Sequence, residues 1–214
     1  MRFIYLHGFA SSPLSSKAVY LRDRLASLQI PLQVPDLNQG DFSQLTISRQ
    51  ARHVEAEFLA TPSVPVTLIG SSLGGLTAAW LGQQHPQVQQ LVLLAPAFGF
   101  LDHWLSRLGE EQRRQWQASG YLSVYHYGER RSLPLHYQFV EDAKKLNESQ
   151  WLRPIPTLIL HGIHDQVIPI AASRHYARER PWVKLIELNS DHALGDVLPQ
   201  IWDVVQKFCQ LTTH

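Results

Sequence analysis

Val66–Leu81 reads VTLIGSSLGGLTAAWL, and this stretch decides the fold. Its first half, VTLIG, is a short apolar run of strand character. Its second half opens a run from Leu73 to Gln84 with the length and composition of a helix. At the joint stands Gly70-Ser71-Ser72-Leu73-Gly74, a G-x-S-x-G pattern centred on Ser72. Glycines two residues to either side keep side chains out of the place where strand and helix cross. The helix N-terminus also points unpaired N–H groups toward any negative charge that develops there. Ser72 is therefore the candidate nucleophile. The alternative is a serine that caps its helix beside packing glycines. Ser71 lacks the symmetric glycine flanks.

Outward from this corner the same alternation recurs. Strand candidates are Phe3–His7, Leu32–Pro35, Val66–Gly70, Gln90–Ala95, Thr157–His161 and Val183–Leu188. Most are nearly continuous apolar runs, as expected of strands covered on both faces. Helical patterns fall between them at Ser16–Gln29, Thr46–Ala60, Leu73–Gln84, Ile170–Arg180 and Val197–Leu211. Repeated strand-then-helix order predicts a three-layer α/β fold around a mainly parallel six-stranded sheet. The 214 residues fit one domain, 1–214. Between Pro96 and Pro156 the rhythm breaks, with far more chain than one crossover needs. FLDHWLSRLGEEQRRQWQ reads as helix, YLSVYHYGERRSLPLHYQF as two extended pieces about a turn, and VEDAKKLNES as another helix. We expect a small cap-like insertion over residues 97–155.

A serine at its ordinary pKa needs a base. Two loops after late strands supply candidates: GIHDQVIP, with Asp165, and NSDHALGD, with His192. In a parallel sheet both loops open on the same edge as Ser72. The order Ser72, Asp165, His192 is the one expected of such a sheet carrying a nucleophile, an orienting acid and a base. Asp191 is a rival acid, poorly placed beside the histidine it would orient. His164 reads as a loop residue and Asp196 as the N-cap of the last helix. After the first strand, His7-Gly8-Phe9 opens a loop where the Phe9 N–H, with Ala10 as the alternative, joins that of Leu73 in a candidate oxyanion hole. His7 reads as a brace for that loop. Phe98, Phe100, Leu101, Trp104, Tyr121 and Tyr125 are candidates for an apolar substrate pocket.

Composition sets outer limits. Nineteen basic and eighteen acidic residues leave a net charge of +1, which gives no bulk reason to expect nucleic acid as partner. The single cysteine, Cys209, excludes an intrachain disulfide and any multi-cysteine metal site, and its helical setting reads as packing. His161 and His164 lack an evident third ligand, and no phosphate-binding glycine loop occurs, so no metal and no cofactor is expected. No apolar run reaches the length of a membrane span, and no signal peptide opens the chain. A cytoplasmic enzyme is the expectation, with oligomeric state, monomer or weak dimer, left open.

The GSSLGG corner, HGIHDQVIP and SDHALG resemble, in that order, the alpha/beta-hydrolase superfamily. YLHGFASSPLSSKA and YHYGERRSLPLHYQFVEDAKKL are similar to its small YqiA-type esterase branch. The resemblance implies strand order 2-1-3-4-5-6 and a carboxylic ester hydrolase working through an acyl-enzyme. It implies Ser72, Asp165 and His192 as the triad and Phe9 and Leu73 as amide donors. Short- to medium-chain acyl esters are the expected substrates, since little chain is left for a deep lid. Acyl thioesters, or a lyase, synthase or C–C hydrolase reaction on a carboxylate, are alternatives, as is a binding protein on a disabled scaffold. Arg107, Arg113, Arg114, Arg130 and Arg131 make the insertion locally basic and would draw an anionic substrate such as an acyl-CoA.

Overall fold

A computed structural model describes residues 1–211. Its main sheet has six parallel strands: β1 (Arg2–Leu6), β2 (Leu32–Gln33), β3 (Val66–Ser71), β4 (Val88–Leu94), β7 (Thr157–Gly162) and β8 (Val183–Leu188). Their order is β2-β1-β3-β4-β7-β8, so the first strand lies inside the sheet and the second at its edge. Numbered among themselves the six strands run 2-1-3-4-5-6, as expected. The order reverses at β1–β3, and a crevice at the carboxyl ends of the strands follows from that reversal.

Side chains alternate between two cores. Ile4, Leu6, Leu68, Leu91 and Leu93 pack on one side, beneath α2 (Ile47–Leu59), α3 (Leu73–Gln84) and α7 (Ile170–Arg178). Tyr5, Ile69, Val92, Leu158 and Leu160 pack on the other, beneath α1 (Ser16–Ala26) and α8 (Leu198–Phe208). Both faces are covered, which is why the strands read as unbroken apolar runs. Thr46 caps α2 by accepting the Arg49 N–H at 3.0 Å. Cys209 is buried at the end of α8, and desolvation pushes its thiol up to about 12, so it stays a neutral packing residue.

Between β4 and β7 lie α4 (Phe100–Leu108), α5 (Glu110–Ser119), the antiparallel hairpin β5 (Tyr121–His126) and β6 (Arg131–His136), and α6 (Gln138–Ala143). The stretch expected as one helix is two, because Gly109 takes φ 82° and ψ 160°, far outside helical geometry. The VEDAKKLNES helix is shorter than read: α6 stops at Ala143, and a 3-10 turn, Glu148–Gln150, follows. Trp116 anchors the insertion, fully buried with its indole N–H on Leu135 O at 2.9 Å. Asp142 ties it to α2 by accepting both the Ser48 N–H (2.8 Å) and hydroxyl (2.6 Å). A 3-10 turn, Phe42–Gln44, packs against β6.

Candidate active site

Four loops meet at the carboxyl end of the sheet. Ser72 sits between β3 and α3 with φ 53° and ψ −119°, a conformation that an L-residue adopts only when its surroundings impose it. Those surroundings are backbone. The Ser72 N–H bonds to Leu94 O at 2.9 Å, and Ser72 O accepts from Gly75, Leu76 and Ala97. A Cβ on Gly74 would overlap the carbonyl of Leu6, with its carbon 2.6 Å away. The glycine is therefore required by the approach of α3 to β1.

The Ser72 Oγ lies 3.0 Å from His192 Nε2, and His192 Nδ1 lies 2.6 Å from Asp165 Oδ2. The carboxylate can only accept, so Nδ1 carries the proton and Nε2 is free to accept from the serine hydroxyl. Asp165 Oδ1 takes the N–H groups of Val167 and Ile168, each at 2.8 Å. Burial alone would raise this carboxyl. The hydrogen bonds from His161, His192 and the Ile168 amide overcome that and hold it well below the usual carboxylate range.

His161 has a place that its spacing did not announce. Its Nε2 donates to Asp165 Oδ2 and Ile168 O, both at 3.0 Å, and Nδ1 is 2.7 Å from the Ser173 hydroxyl. Fully buried at the end of β7, it fixes the carboxylate that faces His192. The signal was a strand-ending histidine four residues before the acid. Gly162 was missed as well: a Cβ there would meet Asp191 O at 2.5 Å, so the acid and histidine loops pack backbone to backbone.

The neighbours fall into supporting positions. Asp191 accepts the Ala193 and Leu194 N–H groups and so shapes its own loop. His164 bonds Asn189 on the surface. Asp196 is not the helix cap that was expected: Val197 occupies that position, and the Asp196 carboxylate instead receives the Ser190 hydroxyl. His7 is buried and braces its loop, its Nε2 accepting the Leu37 N–H at 3.0 Å. Among the described residues, neither the Phe9 nor the Leu73 backbone N–H is spent on a protein acceptor. No group of three or more potential metal ligands occurs among them.

Two spaces open from Ser72. One is an apolar cavity of about 140 Å³ walled by Phe9, Leu73, Ala97, Phe100, Trp104 and Phe139. The other is a groove of about 860 Å³ that also touches His192 and runs between Ser11–Lys17 and β5. Of the six pocket candidates, Phe100 and Trp104 line the cavity, while Trp104 and Tyr125 line the groove. The other three lie elsewhere. Phe98 is buried behind the site, stacked on Tyr176 at 3.9 Å. Leu101 lines a separate hollow with Leu76 and Lys144. Tyr121 is exposed, its ring against His136. The helical period carries Leu101 off the Phe100–Trp104 face, and Phe98 precedes α4 altogether.

The insertion's arginines do not converge on the serine. Arg114 pairs with Glu110 and Glu111, and Arg131 with Glu129, all on exposed surface. Arg107 reaches the apolar cavity, with Nη1 on Gln166 O at 2.9 Å, and Arg113 and Arg130 line neither space.

Residues 2–209 match the model of a family described as "Uncharacterised protein family (UPF0227)". Solved structures share the fold at low identity. Est1E from Butyrivibrio proteoclasticus, with ferulic acid bound, superposes with a TM-score of 0.82 at 19% identity, covering 97% of this chain and 87% of that one. A protein from Agrobacterium vitis S4 gives 0.85 at 24%, covering 97% and 87%. A monoacylglycerol lipase from Paleococcus ferrophilus gives 0.78 at 16%, covering 98% and 94%.

Proposed function

The chain belongs to family UPF0227, the YqiA-type branch of the alpha/beta-hydrolase superfamily, and from that premise we propose that it is a serine carboxylic ester hydrolase. The observation that carries the reading is the unbroken relay from Ser72 Oγ through His192 to Asp165, at 3.0 and 2.6 Å, mounted on a strained corner. That Est1E binds ferulic acid and that another neighbour is a lipase are consistent with it.

His192 Nε2 takes the hydroxyl proton as Ser72 Oγ attacks the ester carbonyl. The resulting oxyanion is met by the N–H groups of Phe9 and Leu73. Asp165, held ionised by its hydrogen bonds, stabilises the imidazolium that forms. His192 then protonates the departing alcohol oxygen. Water, activated by the same imidazole, releases the acid from the acyl-enzyme. His161 acts through Asp165 and is a positioning residue.

The cavity bounds the acyl group. At about 140 Å³ it is close in size to an apolar protein cavity of ~150 Å³ that holds one benzene. By that comparison acyl chains of about four to six carbons, or one aromatic ring, match such a space, which favours short esters over medium ones. Only Arg107 at the cavity and Lys17 at the groove bring positive charge to these spaces, which weighs against the thioesterase and carboxylate-binding alternatives. An intact relay weighs against a disabled binding scaffold. Turnover of p-nitrophenyl esters from acetyl to octanoyl, beside matching acyl-CoA thioesters, tests the reading. We expect kcat/KM to peak at or below six carbons and oxygen esters to exceed thioesters. A thioester preference at equal chain length would overturn the choice between them.

A further inference from the structure

Leu122, Ser123, Val124 and Tyr125 of β5 all line the large groove beside Ser72. Side chains of a strand alternate between faces, so four consecutive residues border one space only when the strand's edge is turned toward it. The hydrogen-bond parity says which groups that edge presents. Tyr137 N–H donates to Gly120 O, which sets the hydrogen-bonded pairs of the hairpin at Leu122–Leu135, Val124–Leu133 and His126–Arg131. Pro134, lacking an N–H, then lies opposite Ser123 at a non-bonded position, where it costs the ladder nothing. The N–H and C=O groups of Ser123 and Tyr125 therefore point away from β6.

The next outward group on this edge is already used as a strand pair would use it: Tyr127 N–H donates to Ala10 O at 2.8 Å. Ala10 follows Phe9 in the loop that supplies the candidate oxyanion donor. Among the described residues, Ser123 and Tyr125 main-chain groups have no such partner, and both residues are exposed. Protein edges are ordinarily blunted by lysine, proline, bulges or a covering element. β6 carries Pro134 and packs on the Phe42–Gln44 turn. At Ser123 and Tyr125 β5 has none of these protections: the register there is regular, and both residues are uncharged.

We propose that the open edge of β5 pairs with the main chain of an extended peptide, so that the substrate is a peptide carrying a short acyl ester on a serine or threonine side chain. This rests on the ester hydrolase reading and names its leaving group. The acyl group enters the small cavity while the peptide lies in the groove against β5. Ser72 Oγ forms the acyl bond, the peptide's side-chain oxygen leaves with the proton held by His192, and water then returns the enzyme and a carboxylic acid. Side chains of the peptide on alternate positions meet Tyr125 and Tyr127, whose rings contact each other at 5.3 Å, and the apolar wall at Leu108 and Val124.

Strand pairing has a period of two, and that is what the test reads. A nine-residue peptide with a central O-acetylserine would be compared with O-acetyl-N-acetylserine amide, and with peptides N-methylated at single successive amides. The peptide should show a KM on the order of tenfold lower, the worth of one or two net main-chain hydrogen bonds. N-methylation should abolish that gain at every second amide and leave it intact at those between. In Ser123→Pro, which deletes an outward N–H, the ratio of peptide to p-nitrophenyl acetate specificity should fall toward that of the N-methylated peptide. Equal KM values for peptide and amino-acid ester, or a loss without alternation, would overturn the inference while acetyl ester turnover left the hydrolase reading standing. Sedimentation showing a dimer at assay concentration that Ser123→Pro dissolves would overturn it in favour of a second copy on this edge. A wild-type protein inert toward p-nitrophenyl acetate as well would remove the hydrolase reading and this inference with it.

Discussion

The parallel sheet with its four loops and the insertion between β4 and β7 are built on opposite terms. In the first, positions are dictated by backbone: Gly74 against the Leu6 carbonyl, Gly162 against Ser190 and Asp191, Ser72 locked between Leu94 and Ala97. In the second, short elements are held by side chains, Trp116 on Leu135 and Asp142 on Ser48, and one strand edge is left open. Backbone packed on Gly74 and Gly162 leaves no room for a side chain there and fixes a reacting atom. Side-chain contact tolerates many substitutions and can vary what reaches that atom. The difference assigns the proposed reaction to the sheet and its selectivity to the insertion.

Damage to the sheet's loops should therefore be the most severe. Asp165→Asn leaves the shape but permits the wrong tautomer of His192, and kcat for a short ester should fall on the order of 10⁴-fold. The same variant reports on pH. The folded-state pKa of Asp165 lies below its ordinary value of 3.8, so its contribution to stability is full above that value and is lost as pH falls through the folded one. Melting temperatures of wild type and variant should differ most near neutrality and converge below pH 3.8. A gap that widened in acid would break the assignment of Asp165 as the ionised partner.

Gly74→Ala comes next. The added methyl has only backbone to push against, and a loss of about 3 kcal/mol is expected, near 10 °C in melting temperature. A smaller effect would show that α3 can move, and would weaken the contrast. In the insertion, Phe100→Ala should enlarge the acyl cavity. It should move the preferred ester several carbons longer, with a change of about tenfold in relative kcat/KM and a modest stability cost. If chain-length preference stayed put, selectivity would belong to the sheet after all.

Legibility in the sequence divides along the same line. The strand order, the Ser72 corner and the loops bearing Asp165 and His192 could be read because backbone constraint leaves marks: glycines at fixed offsets, continuous apolar strands, loops at strand ends. The insertion could not be read so well. The period of α4 shows that Phe100 and Trp104 share a face, but only the fold says that this face turns to Ser72 while Phe98 stacks on Tyr176. Arginines clustered in sequence are dispersed in space by local pairing with Glu110, Glu111 and Glu129. His161 was hidden for another reason. Its partners, Asp165 and Ser173, are contributed by a loop and a helix that meet the strand end only in the folded chain.

The central claim is that Ser72 is an activated nucleophile. The direct measurement is the mass and peptide position of a fluorophosphonate adduct formed by the folded protein, alongside the Ser72→Ala variant. The account predicts one adduct per chain on Ser72, formed fast at neutral pH, and none on the alanine variant, which also loses ester turnover while keeping its circular dichroism spectrum. A wild-type protein left unlabelled, or an alanine variant that still turns over esters, would contradict it.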